Sequence, residues 1–265
     1  MNMHEGSSKG GPPAIRTGSE ADSIGFLRVL DGLLRRREEF FERIFQGQEM
    51  GRLLRCFLTG VISLSAFYGM TMGLLSFHQG AGQGLLQMAA SGLKVPALYL
   101  LSLAVCFPVL YIVLVLMGAR LTFGQTLGLI LMALTLNAVL LASCAPIVVF
   151  FTITGSNYHF IKLLQVAIFA FSGAWAMMAL WQGLRLMCEK SDLYPRQAIR
   201  ILQVWILVFG FVGTQMAWSM RPYVGSPDLP FQWFRSSQPG NFYWAVWESV
   251  TSVFPNRVPP NPPSE

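Results

Sequence analysis

The sequence predicts an all-α fold, a polytopic membrane helical bundle of about five transmembrane helices with a cytoplasmic amphipathic helix ahead of the first span. Three observations carry this expectation. Hydrophobic residues make up 53% of the chain and charged residues only 12%, about half the charged share of an average soluble domain. Mean hydropathy is +0.49. The apolar residues also gather into runs of some twenty, enough to cross a hydrocarbon core of about 30 Å at 1.5 Å per residue. The clearest run, 201–220, reads ILQVWILVFGFVGTQMAWSM, carries no charge and ends on Arg221-Pro222. There arginine marks the water boundary and proline stops the helix.

Residues 1–20 are rich in Gly, Ser and Pro and predict a disordered tail; lacking an apolar core, they predict no cleavable signal peptide. Residues 21–52 form the cytoplasmic amphipathic region. Ser23 offers an N-cap, and Ile24, Leu27, Leu30, Leu34, Phe41, Ile44 and Phe45 recur at helical spacing opposite a charged face. Asp31 with Arg35, and Glu39 with Arg43, stand four apart, each pair supporting the helix by about 0.3 to 0.5 kcal/mol. Arg35, Arg36 and Arg37 form a basic cluster suited to anionic lipid head groups or a docking partner. Simple packing beneath the bundle is the plainer alternative.

The five spans occupy 53–222. The first, 56–77, carries Thr59, Ser63, Ala66, Gly69, Gly73 and Ser76 as a small-residue stripe expected to be buried against another helix. Residues 79–93 are too polar and too short to cross, and predict an external loop. The second span starts at Lys94-Val95-Pro96, with Pro96 in its first turn, runs to Met117 and is expected to kink at Pro108. The third, 123–151, exceeds what a bilayer needs, is expected to tilt or bend at Pro146, and sets Gly124, Gly128, Thr135, Ala138, Ala142 and Ala145 on one face. The fourth, 160–188, carries Ser172, Ala176, Ala179 and Gly183 as its stripe. The fifth, 201–220, offers Gly210, Gly213, Thr214 and Ala217 for helix packing. Residues 223–265 form an external, aromatic-rich tail whose Phe231, Trp233, Phe234, Phe242, Tyr243, Trp244, Trp247 and Phe254 favour the interface.

Charge placement orients the bundle. With the N-terminus cytoplasmic and five spans, cytoplasmic segments hold fourteen of the nineteen Lys and Arg; Lys94, Lys162, Arg221, Arg235 and Arg257 lie outside. That asymmetry follows the positive-inside rule. The net charge of +6 is therefore a topology signal, and nucleic acid is not an expected partner.

The spans offer little chemistry. No Asp or Glu occurs between Glu49 and Glu189, whereas proton relays and cation sites depend on intramembrane carboxylates. No HExxH, GxSxG or phosphate-binding loop is present. Cys56, Cys106, Cys144 and Cys188 stand singly in or beside apolar runs and read as small hydrophobes. His78, His159, Arg221 and Asp228 fall on the predicted outer side, but their spacing makes no metal motif. Catalytic residues, cofactors and metal ligands are all expected to be none. Within the spans, Asn137, Gln165, Gln203 and Gln215 are candidates for interhelical bonds or for a polar pathway.

Five closely spaced apolar segments behind an amphipathic N-terminal region resemble the Yip1-type membrane proteins. The stretches KVPALYLL, FVGTQMAWSMRPYVG and GNFYWAVWESV are similar to bacterial multi-pass membrane proteins. The resemblance implies a role in membrane organisation through protein partners, with no functional residues to carry over. The expected function is a non-catalytic interaction or scaffold subunit of a complex in a bacterial inner membrane. Its expected partners are membrane lipids, other membrane or cytoplasmic subunits and a homo-oligomer; lipid head groups would meet Arg35, Arg36, Arg37 and Arg221. The alternative is a channel or permease subunit moving a small solute or lipid. An enzyme acting on lipid head groups through His78, His159 and Asp228 is the third class.

Overall fold

Every regular element among the described residues is helical. The computed structural model describes residues 29–35, 37–47, 49–116, 118, 122–155, 158–190, 196–223, 233, 243, 246, 247, 249 and 251. Residues 29–35 are helical and precede α1 (Arg37–Phe45). Then come α2 (Met50–Met72), a 3-10 segment (Gly73–Gln79), α3 (Ala81–Leu116), α4 (Phe123–Ile153), α5 (Tyr158–Lys190) and α6 (Arg196–Ser219). Four of these are long and apolar enough to cross a membrane: α2, α3, α4 and the Tyr158–Gln182 part of α5. The chain is thus built as a multi-pass membrane protein.

Close backbone approach joins α2 and the start of the 3-10 segment to α3. A Cβ at Gly73 would stand 2.6 Å from Cα of Met88, and one at Gly69 would collide with the carbonyl of Ser91. Glycine lets the two backbones meet there, as packing between helices in lipid requires. Gly80, at φ 116, turns the chain between the 3-10 segment and α3, a conformation closed to most side chains. The core is α4, whose residues 128–138 are all buried beneath α2, α5 and α1. A capping box starts it: Thr122 accepts from the Gln125 backbone and the Gln125 side chain accepts from the Thr122 backbone. The same Gln125 side chain donates to the carbonyl of Phe45 at 2.7 Å, tying the end of α1 to the start of α4.

The structure corrects four expectations. Residues 79–93 are not a loop, because α3 already starts at Ala81. Their polarity is consumed on one helix face, where Gln87, Ser91 and Lys94 recur at i, i+4 and i+7. Pro96 consequently lies inside α3, which also runs on through Pro108. In α2 the first half of the small-residue stripe faces outward: Thr59 and Ser63 are exposed, and Gly60 and Ser65 are buried instead. The Ser63 hydroxyl donates to the carbonyl of Thr59 at 2.7 Å, so it needs no partner helix. In the N-terminal helical region Leu33 is 1% exposed and Leu34 52%. The buried face follows Leu33, Phe40, Phe41 and Ile44, one residue out of phase with Leu34. The Ser23 cap, the tail before residue 29 and most of 223–265 lie outside the described residues.

Candidate functional site

The most elaborate polar arrangement is a clasp between α3 and the segment that follows α6. Gln87, Ser91 and Lys94 are 2%, 0% and 3% exposed, and all three point at backbone carbonyls far along the chain. The Gln87 amide donates to the carbonyls of Pro222 at 3.2 Å and Tyr223 at 3.1 Å, and also to the Ser91 hydroxyl. Ser91 donates to the carbonyl of Tyr223. The Lys94 ammonium donates to the carbonyl of Pro222 at 3.0 Å and to that of Trp233. Carbonyl dipoles stand here where water would otherwise solvate the charge. Arg221 lies with its guanidinium 3.6 Å from the Trp218 ring centroid, a cation–π contact. Burial pushes the phenol of Tyr223 above its ordinary range.

A second polar group occupies the bundle interior. The Asn137 amide on α4 donates to the Tyr99 hydroxyl on α3 at 3.1 Å. Such bonds average about 0.6 kcal/mol within a membrane. The Thr135 hydroxyl lies 2.7 Å from the Leu131 carbonyl and 3.1 Å from the Phe57 carbonyl on α2. The Trp205 indole of α6 donates to the carbonyl of Cys106 on α3 at 2.9 Å. Tyr68 is fully buried with its ring edge-on to Phe169. Among the described residues, Tyr68 Oη, Ser102 Oγ, Asn137 Oδ1 and Gln165 Nε2 are buried with no hydrogen-bond partner.

The remaining candidates are dispersed. Gln203 is exposed and Gln215 half-buried, so neither joins Asn137 in the interior. Thr214 donates to the Phe211 carbonyl of its own helix at 2.8 Å. A Cβ at Gly124 would meet the flexible side chain of Met50 at 3.4 Å, and one at Gly128 the side chains of Met50, Ile44 and Leu54 at 3.4 to 3.8 Å; one at Gly210 would meet nothing within 4 Å. Arg35 pairs with Asp31 at 2.8 Å in an exposed setting, where such pairs contribute little. Arg37 is half-buried at the edge of an apolar recess lined by Leu33, Phe41, Leu129, Met132 and Leu180. Arg36, Asp228 and the His78 side chain lie outside the described residues. His159 is half-buried with its ring against Tyr158. Among the described residues no three His, Cys, Asp or Glu side chains gather as a metal would require.

Sequence reasoning found Asn137 but missed Tyr99, Gln87, Ser91 and Lys94. The signal for the clasp was present in its i, i+4, i+7 spacing; nothing local announced that the Tyr99 hydroxyl would face Asn137. No family model matches the chain, and neither a curated protein nor a solved structure matches it.

Proposed function

We propose that the protein acts by contact, as a non-catalytic interaction or scaffold subunit of a membrane complex. One observation carries the reading: the interior and clasp side chains Asn137, Thr135, Trp205, Gln87, Ser91 and Lys94 bond to other parts of this same chain. They brace the fold through bonds within the chain. The lack of any Asp or Glu between Glu49 and Glu189 supports the same conclusion, since coupled transport and metal chemistry in a bilayer rely on such groups.

In this proposal α6, whose run 201–220 is uncharged, is a fifth span. In this proposal the N-terminus is cytoplasmic and the C-terminus outside, in a bacterial inner membrane, and the positive-inside asymmetry of the Lys and Arg residues supports that orientation. The exposed charged face of α1, with Glu38, Glu42 and Arg43, is the surface for a cytoplasmic partner. Arg35 and Arg37 meet lipid head groups, and the open face at Gly210 is available to another membrane subunit or a second copy. Purified protein in liposomes is expected to move no solute and turn over no lipid. Gentle detergent extraction is expected to recover a complex that dissociates when Glu38, Glu42 and Arg43 are reversed in charge. Flux or lipid turnover by the protein alone would sink the proposal.

Buried polar atoms without a hydrogen-bond partner among the described residues, Asn137 Oδ1, Gln165 Nε2 and Ser102 Oγ among them, favour a second reading, a channel or permease subunit. That reading requires aqueous access to Asn137.

A further inference from the structure

We infer that the lipid surface lies beyond the clasp, so that Lys94 and the Pro222 and Tyr223 carbonyls sit within the outer leaflet and acyl chains cover the first third of α3. The outer leaflet is the one remote from Arg52 and Arg55, whichever way the chain is inserted. Helix α3 is built inside out. Every exposed side chain from Leu85 to Leu116 is apolar, whereas Gln87, Ser91, Lys94 and Ser102 are buried. Leu85 and Leu93 are 60% and 63% exposed, as open as Val109, at 61%, further along the same helix. A helix standing in water shows the reverse pattern. At 1.5 Å per residue the exposed apolar stripe runs about 46 Å, well beyond a hydrocarbon core of about 30 Å.

Neighbouring helices locate the stripe in depth. Arg52 and Arg55 are exposed on α2 and mark one water boundary. About twenty residues of helix, roughly 30 Å, carry the chain from there past Gly73, and Gly73 packs on Met88 of α3. Met88 is therefore still within the hydrocarbon. Gly69 meets Ser91, so α3 runs antiparallel to α2 and Lys94 lies about 9 Å deeper than Met88. Helix α4 is also antiparallel to α3, with Phe123 against Phe107 and Asn137 bonded to Tyr99. Its far end lies beside the α3 start, and there Ile147, Phe150 and Ile153 are exposed.

Irregular backbone is tolerated at membrane depth only where protein satisfies its polar groups. The clasp meets that condition: Gln87, Ser91 and Lys94 donate to the carbonyls of Pro222, Tyr223 and Trp233. In water those carbonyls would need no such donors. Arg221 then lies below the water boundary that its place in the sequence suggests, with its guanidinium over the Trp218 ring.

Spin labels read the depth. Leu86→Cys, Leu93→Cys and Phe150→Cys, all at exposed positions, are labelled one at a time in the full chain with Cys56, Cys106, Cys144 and Cys188 replaced. Each is reconstituted in phosphatidylcholine and phosphatidylglycerol bilayers. Collision with oxygen and with a water-soluble nickel chelate is compared with Val105→Cys in the span and Asp31→Cys in water. The expected ratio of oxygen to nickel collision exceeds that of Asp31→Cys at all three positions and rises from Leu86 to Leu93 toward the Val105 value. Nickel collision at Leu93 matching Asp31→Cys would put the clasp in water and overturn the inference. Exclusion of both reagents would mean that a second copy, not lipid, covers α3, and would overturn it too. Neither result bears on the scaffold reading, which liposome flux and detergent recovery test separately.

Discussion

The ammonium of Lys94, buried in α3, donates to the carbonyl of Pro222 at 3.0 Å across 128 residues of chain. Together with Gln87 and Ser91 it fastens the end of α6 to the first half of α3, so the polar residues of 81–94 close the bundle at that end. A lysine buried in this way gives up hydration and recovers it from carbonyl dipoles.

Lys94→Met keeps the stem and removes the charge, leaving the carbonyl of Pro222 without this donor. The expected loss is about 2 kcal/mol, the scale of a hydrogen bond to a charged group. Thermal unfolding in detergent measures it, and limited proteolysis is expected to cut the chain after residue 223 sooner. An unaltered Tm and cleavage pattern would show that Lys94 does not hold this segment.

Gly73→Ala drives a methyl group to 2.6 Å from Cα of Met88, against backbone that cannot swing aside. The expected cost is about 1 to 3 kcal/mol. Gly210→Ala meets nothing within 4 Å and is expected to be neutral, or stabilising by up to about 1 kcal/mol through helix propensity. Comparing the two Tm values separates a glycine needed for close packing from one that faces outward. Equal losses at both positions would contradict the assignment.

Gln125→Ala removes both the capping box of α4 and the bond to the Phe45 carbonyl. A loss of about 1 to 2 kcal/mol is expected. It should appear first as faster amide hydrogen exchange at the end of α1, because Gln125 ties the Phe45 carbonyl there to the start of α4. Exchange in α1 matching the wild type would rule out this role.

The helices were legible because long apolar runs leave a chain in lipid almost no alternative to helix. The α3 start was not, because the same Gln and Lys that suggest water in a sequence can face a backbone carbonyl in the fold. Gln87, Ser91 and Lys94 have the spacing of a helix face, but their partners are Pro222, Tyr223 and Trp233, and only tertiary structure brings these near. Leu33 and Leu34 show a finer limit: adjacent leucines fit the periodic pattern almost equally, and packing against α4 decides which one is buried. Asn137 demanded a partner on physical grounds alone; that Tyr99 supplies it depends on the register of α3 against α4.

The central claim is that the interior is closed and the protein works by contact, which Asn137→Cys tests in a background with Cys56, Cys106, Cys144 and Cys188 replaced. The variant is reconstituted and exposed to a membrane-impermeant thiol reagent from each side in turn. The account predicts no labelling from either side until the protein is unfolded in detergent, since Asn137 is buried and bonded to Tyr99 within the bundle. Labelling of the folded protein at position 137 from the aqueous phase would contradict it and establish a passage through the bundle.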